Sequence, residues 1–238
     1  MIKISNVSKS YSKGIKAVDD LNLVVEDGEI VAFVGPNGAG KSSTIKMLTG
    51  IIKPDDGTIF IGDYDIRKEG LKAKENIGYI ADSPDMFLRL KGIEFLNLIA
   101  DIYKISTKDR QERIKLYAKR FGLEDVLDEQ MQSYSHGMRQ KMMVMAALVH
   151  NPSVWILDEP LIGLDPASAY ELKKMMREHA DAGNSVLFST HVLEVAEKLC
   201  DKIIIINHGK TIYYGTLDEL KDKYPKKDLE EIFLELTV

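Results

Sequence analysis

The chain has 238 residues, 45% of them hydrophobic and 29% charged, with a formal net charge of −5. That length and apolar fraction allow a substantial core, as one large domain or two lobes, and the acidic balance argues against a protein that grips nucleic acid through a basic face. No apolar run approaches the ~20 residues needed to cross a bilayer, and the longest, 142–149, fits a buried helix better.

The opening Met1-Ile2-Lys3-Ile4-Ser5-Asn6 carries no signal-peptide stretch, and a single cysteine, Cys200, excludes an internal disulfide. Both are expected of a reducing cytoplasm. Residues 2–7 and 21–25 alternate or cluster apolar side chains as strands do, and the Ser/Lys/Gly stretch holding Tyr11 reads as a loop between them. The run 29–34 reads as a buried strand and 43–49 as the first turns of a helix. Between them stands Gly35-Pro36-Asn37-Gly38-Ala39-Gly40-Lys41-Ser42. Glycines let the backbone curl so that successive N–H groups converge on one anion, and the positive end of the following helix faces the same spot. Lys41 is then placed for the β- and γ-phosphates of a nucleotide triphosphate, and the Ser42 hydroxyl for Mg²⁺.

Beyond a turn at 53–57, a short strand pair is expected around 58–61, and 77–80 reads as another strand. From about 91 to 127 the periodicity becomes helical, with Ile93, Leu96, Leu98 and Ile99 on one stretch and Ile114, Leu116, Tyr117 and Phe121 on another. This predicts a helical insertion. A helix over 137–150 leads through Asn151-Pro152 into an apolar strand, 154–157, that ends in Asp158-Glu159. A helix at 166–180, a strand at 185–189, a helix at 192–199, a strand at 202–207, a hairpin-like strand at 211–214 and two short helices follow, with Cys200 read as packing buried in an apolar helix. Strands alternating with helices predict a mostly parallel sheet with helices on both faces.

An acid at the end of an apolar strand reaches the sheet edge that carries the phosphate loop, which suits Asp158 to Mg²⁺, held through water. Glu159, next in the chain, points differently and is free to polarise an attacking water. His191, just past the strand 185–189, is placed for a γ-phosphate contact.

Four more stretches narrow the reading. They are Ile77-Gly78-Tyr79-Ile80-Ala81-Asp82, Tyr134-Ser135-His136-Gly137-Met138-Arg139-Gln140 at the start of a helix, Leu161-Ile162-Gly163-Leu164-Asp165, and His191 itself. Together and in this order they resemble the ATP-binding subunits of ABC transporters over nearly the whole chain. The resemblance implies a P-loop NTPase of ABC ATPase type: a mostly parallel, RecA-like α/β sheet flanked by helices, with an N-terminal antiparallel β subdomain and a helical insertion. Residues 1–81 and 153–215 would form the ATP-binding core, 82–152 the helical subdomain with the signature, and 216–238 a short helical tail. Gly35 to Ser42, with Ser43, would be the Walker A site, and 154–158 the Walker B strand. Glu159 would be the catalytic base, His191 the switch histidine, and Asp165 part of the D-loop that bridges subunits. Tyr11 would stack on adenine, with Val18 packing nearby.

Two positions depart from the family pattern. The signature usually reads Leu-Ser-Gly-Gly-Gln, whereas here Ser135 and Gly137 remain while His136 and Met138 differ. The form Tyr-Ser-x-Gly-Met-Arg-Gln is similar to the ABC-2 type exporter branch, as is the tail 229–236. Asp82 stands where a glutamine is usual and would reach Mg²⁺ through water. The signature serine of this family serves nucleotide held by another subunit, so the resemblance implies a head-to-tail dimer, of identical or related chains, closing on two Mg·ATP. It also implies separate membrane permease subunits at the cytoplasmic face of the membrane, with Met86 and Phe87 near their coupling helix. The competing class is a soluble ABC ATPase acting in assembly of a cytoplasmic complex.

Overall fold

The computed structural model describes residues 1–12, 14–81 and 87–237. In chain order, β1 (Ile2–Ser12), β2 (Ile15–Val25) and β3 (Ile30–Val34) precede α1 (Lys41–Leu48). Then come β4 (Asp56–Ile61), β5 (Tyr64–Asp65), α2 (Gly70–Glu75) and β6 (Ile77–Ile80). Three helices follow, α3 (Gly92–Ile102), α4 (Thr107–Phe121) and α5 (His136–Leu148). The remainder is β7 (Val154–Leu157), α6 (Pro166–Asp181), β8 (Ser185–Thr190), α7 (Leu193–Leu199), β9 (Lys202–Asn207), β10 (Lys210–Thr216), α8 (Leu217–Lys223) and α9 (Leu229–Thr237).

The order β10-β9-β3-β8-β7-β6 makes one sheet, parallel throughout except for the edge strand β10. Its central strands are apolar on both faces, as a doubly covered parallel sheet requires. Alternation then sorts the side chains into two cores. Ile30, Ala32, Val34, Trp155, Leu157, Val186, Phe188, Ile203 and Ile205 pack against the helices of one face. Val31, Phe33, Val154, Ile156, Leu187, Ile204 and Ile206 face the other way, towards α1 and the antiparallel sheet β2-β1-β4-β5. One layer of backbone therefore separates the signature-bearing helices from the N-terminal sheet.

The structure corrects three local expectations. Tyr11 lies on β1, which runs on to Ser12 and pairs with β2 through Lys9↔Val18, Ser10↔Lys16 and Ser12↔Ile15. Ladder hydrogen bonds hold this end, and its side chains are largely solvated, so no apolar alternation betrays the strand. Helix α2 has no counterpart among the elements expected from the sequence, and of its residues Ala73 alone is buried. Cys200 caps the C-terminus of α7 rather than lying within it, with Sγ against the Ala196 carbonyl, and burial pushes its thiol up to about 12.

Candidate functional site: a phosphate cradle at three strand ends

Strands β3, β8 and β7 are parallel neighbours, so the segments leaving their C-terminal ends share one edge of the sheet. These are the glycine loop, His191 and Asp158-Glu159, in the crevice where open α/β sheets bind ligands. Ala17, Asn37, Gly38, Gly40, Lys41, Ser42, Ser43, Asp158 and Glu159 line a cavity of about 300 Å³ there.

The loop closes through Ala39 N–H donating to Pro36 O at 3.1 Å and enters α1 at Gly40. Gly40 has φ +110, and a Cβ there would collide with the Ala17 carbonyl. Only glycine fits this approach. No side chain caps α1 and its first turn holds no acid, so its N–H groups and positive dipole end face the cavity unmasked. Lys41, 8% exposed, donates from Nζ to Gly35 O at 2.6 Å and to Pro36 O at 3.2 Å. Burial lowers its pKa, opposed by the charges of Glu159 and Asp158.

The carboxylates are held by a residue that sequence reasoning did not single out. Ser189 Oγ donates to Asp158 Oδ1 at 2.6 Å and accepts from Glu159 N–H at 2.9 Å. A serine inside the fully buried run of β8 is the signal that could have pointed to it. Glu159 has φ +48, rare for a residue with a side chain. That backbone turn separates its carboxylate from that of Asp158 and sets Oε2 3.1 Å from His191 Nδ1. The pair combines an acceptor and a titratable ring at the cavity rim. Ser42 and Asp158 present hard oxygens to the same cavity, a donor set that fits Mg²⁺. Among the described residues no three His, Cys, Asp or Glu converge, so phosphate oxygens and water would complete its shell.

Other expected residues lie around this centre rather than in it. The Tyr11 hydroxyl is 3.2 Å from Ser43 Oγ, and its ring is 61% exposed. Val18 is 1% exposed in the core, and its neighbour Ala17 lines the cavity instead. Ser135 caps α5, accepting from Met138 N–H at 3.2 Å. Neither these nor His136 and Gly137 line the cavity. Asp165 caps α6 by accepting from Ser168 N–H and Oγ at 3.0 and 2.6 Å, and these bonds, with Lys141 3.3 Å away, hold its carboxyl well below the usual range. Gln140 Nε2 donates to Pro160 O at 3.3 Å, a contact no local pattern announces. Phe87 stacks on Phe95 with ring centroids 5.5 Å apart. Asp82 and Met86 lie outside the described residues.

A phosphate loop, a strand-end aspartate and a following glutamate at one edge of a parallel sheet, on strands separated by β8 alone, define a P-loop nucleotide hydrolase. The comparisons narrow the class: the ABC transporter family matches residues 18–162. The ABC transporter ATP-binding protein NatA of Bacillus subtilis (strain 168) is 32% identical over 98% of this chain and 97% of its own length. The daunorubicin/doxorubicin resistance ATP-binding protein DrrA of Streptomyces peucetius is 37% identical over 92% of this chain and 66% of its own. A solved ATP-binding subunit of an ABC transporter superimposes with TM-score 0.95 at 33% identity, covering 99% of both chains. A dimeric ATP-binding cassette in a post-hydrolysis state, bound to ADP and Pi, gives 0.82 at 25% identity over 91% of this chain and 99% of that one. The chain belongs to the ABC transporter family. It is an ATP-binding subunit and an ATPase.

Proposed function

We propose that this ATPase drives an ABC-2 type exporter as a head-to-tail dimer that closes on two Mg·ATP. The observation that carries the reading is the separation of the signature from the phosphate cradle. Residues 135–138 open α5 but do not line the cavity that the glycine loop forms in the same chain. A signature that serves a γ-phosphate must then serve one held by another copy, or by a related chain. Similarity to DrrA and to the linearmycin resistance ATP-binding protein LnrL of Bacillus subtilis, 33% identical, supports export.

In this mechanism the first turn of α1 and Lys41 hold the triphosphate, and Lys41 exchanges the Gly35 and Pro36 carbonyls for β- and γ-oxygens. Tyr11 stacks on the base. Glu159 orients the attacking water and takes its proton, His191 holds Glu159 and reaches the γ-phosphate, and Ser189 keeps both carboxylates in place. Ser42, Asp158 and, through water, Asp82 would hold Mg²⁺, which would supply positive charge against the phosphates. Dimer closure excludes water and so strengthens these interactions. Residues 1–81 and 153–215 act as the ATP-binding core, 82–152 as the helical subdomain and 216–238 as a tail.

Among the described residues no helix is long and apolar enough to cross a membrane. The cargo path would belong to permease subunits, which place this chain peripherally at the cytoplasmic face. Phe87, 47% exposed, and Met86 would meet their coupling helix. The test is a pull-down from detergent-solubilised native membranes with Glu159→Gln as bait, with and without Mg·ATP. A polytopic membrane protein recovered stoichiometrically is the expected result. Recovery of soluble partners alone would overturn transport in favour of an assembly ATPase.

A further inference from the structure

We propose that His136 is a positioning residue for hydrolysis: its imidazole, seated on Gly163, holds the 160–165 segment and through it Glu159. The proposal rests on the reading of Glu159 as the base.

The segment after Glu159 supports itself weakly. Its internal turns are closed by Ile162 N–H to Glu159 O at 3.3 Å and Leu164 N–H to Leu161 O at 3.4 Å, both near the limit of hydrogen bonding. Further supports come from α5. Gln140 holds Pro160 O, and Lys141 Nζ lies 3.3 Å from Asp165 Oδ2. A Cβ on Gly137 would stand 2.9 Å from Gly163 O, and a Cβ on Gly163 would strike the His136 ring, with Nε2 2.8 Å away. Residues 136, 137, 140 and 141 are spaced as one face of a helix. That face spans the whole segment from Pro160 to Asp165.

His136 differs from the other three contacts. Its ring closes on Gly163 at φ +78, the middle of the segment, where the hydrogen bonds described from α5 lie to either side, at Pro160 and Asp165. A rigid ring there limits the excursions of the backbone on either side at little cost in side-chain entropy. A glycine at 136, the usual residue of the signature, has no atoms to do so. The chain thus fastens the loop that leads out of Glu159 to the helix that begins at the signature.

The test is a double-mutant cycle of His136→Ala and Gly163→Ala, with His136→Phe as the conservative variant. Steady-state kcat and KM are measured alongside amide hydrogen exchange at 161–164 in the nucleotide-free protein. His136→Ala is expected to lower kcat about fivefold, leave KM within about twofold, and speed exchange at 161–164. His136→Phe, which keeps a planar ring, is expected to restore kcat to within about twofold and to restore protection. Gly163→Ala is strained at φ +78 in either background, but it should cost at least about threefold more in the parent than in the His136→Ala background, where the collision with the ring is gone. Equal Gly163→Ala losses in both backgrounds would overturn the proposal, as would unchanged exchange in His136→Ala or a change confined to KM. The base assignment fails separately, through normal turnover in Glu159→Gln with the exchange coupling intact.

Discussion

Glu159 combines a strained backbone with a partly buried carboxylate, and such outliers persist only where neighbours over-determine them. Here the neighbours are Ser189 and His191, which bind its N–H and its carboxylate respectively. Glu159→Gln keeps shape and hydrogen bonding but cannot take a proton. It is expected to bind ATP with near-parental affinity while phosphate release falls at least about 100-fold. Ser189→Ala removes a donor to Asp158 and the acceptor of Glu159 N–H, at a cost of about 1–3 kcal/mol that thermal melts will register. Its kcat should fall more than its KM rises. Gly40→Ala should abolish nucleotide binding in calorimetry, because φ +110 and the Ala17 carbonyl leave no room for a methyl group. At this scale the glycine loop and the paired acids were legible, since their chemistry is local. Ser189, 31 residues from Asp158, was not, because its role exists only once β7 and β8 lie side by side.

A half-buried histidine lies just past α5 and another in the last turn of α6. His150, just past α5, stacks on Tyr103 with centroids 3.7 Å apart and meets Ile77 O at 3.0 Å through Nε2. His179, in the last turn of α6, packs edge-on to Trp155 at 5.5 Å. Burial pushes both imidazoles down to about 4. The unfolded chain, with histidines near 6.5, takes up these protons first as pH falls. Stability is therefore complete above about 6.5 and declines towards 4, by roughly 3 kcal/mol for each residue. Urea melts between pH 4.5 and 7 should show this slope, and His179→Phe should reduce it by about one proton. Elements with strong apolar periodicity, such as β7 and α6, could be read from sequence to within a residue or two. The polar end of β1 and the short α2 could not, because ladder pairing and one buried alanine leave almost no pattern.

The whole molecule is built on alternation in five parallel strands, which makes two cores from one sheet. The parallel sheet was legible because short, wholly apolar runs alternate with helices along the chain, whereas the covering of its second face by α1 and the antiparallel sheet, rather than by helices alone, follows only from the fold. The contacts that tie α5 to the segment beyond Glu159 were not, since Gln140 and Pro160 are joined only by the fold. If the proposed dimer forms, Glu159→Gln with Mg·ATP should scatter light as twice the chain mass, and as a monomer once the nucleotide is removed. The chain also carries its own optical gauge for such changes. Trp155 is its one tryptophan, fully buried on β7 three residues before Asp158. Its fluorescence therefore arises from a single point on the strand that delivers both carboxylates, and any shift or quenching on adding nucleotide reports movement there without a label.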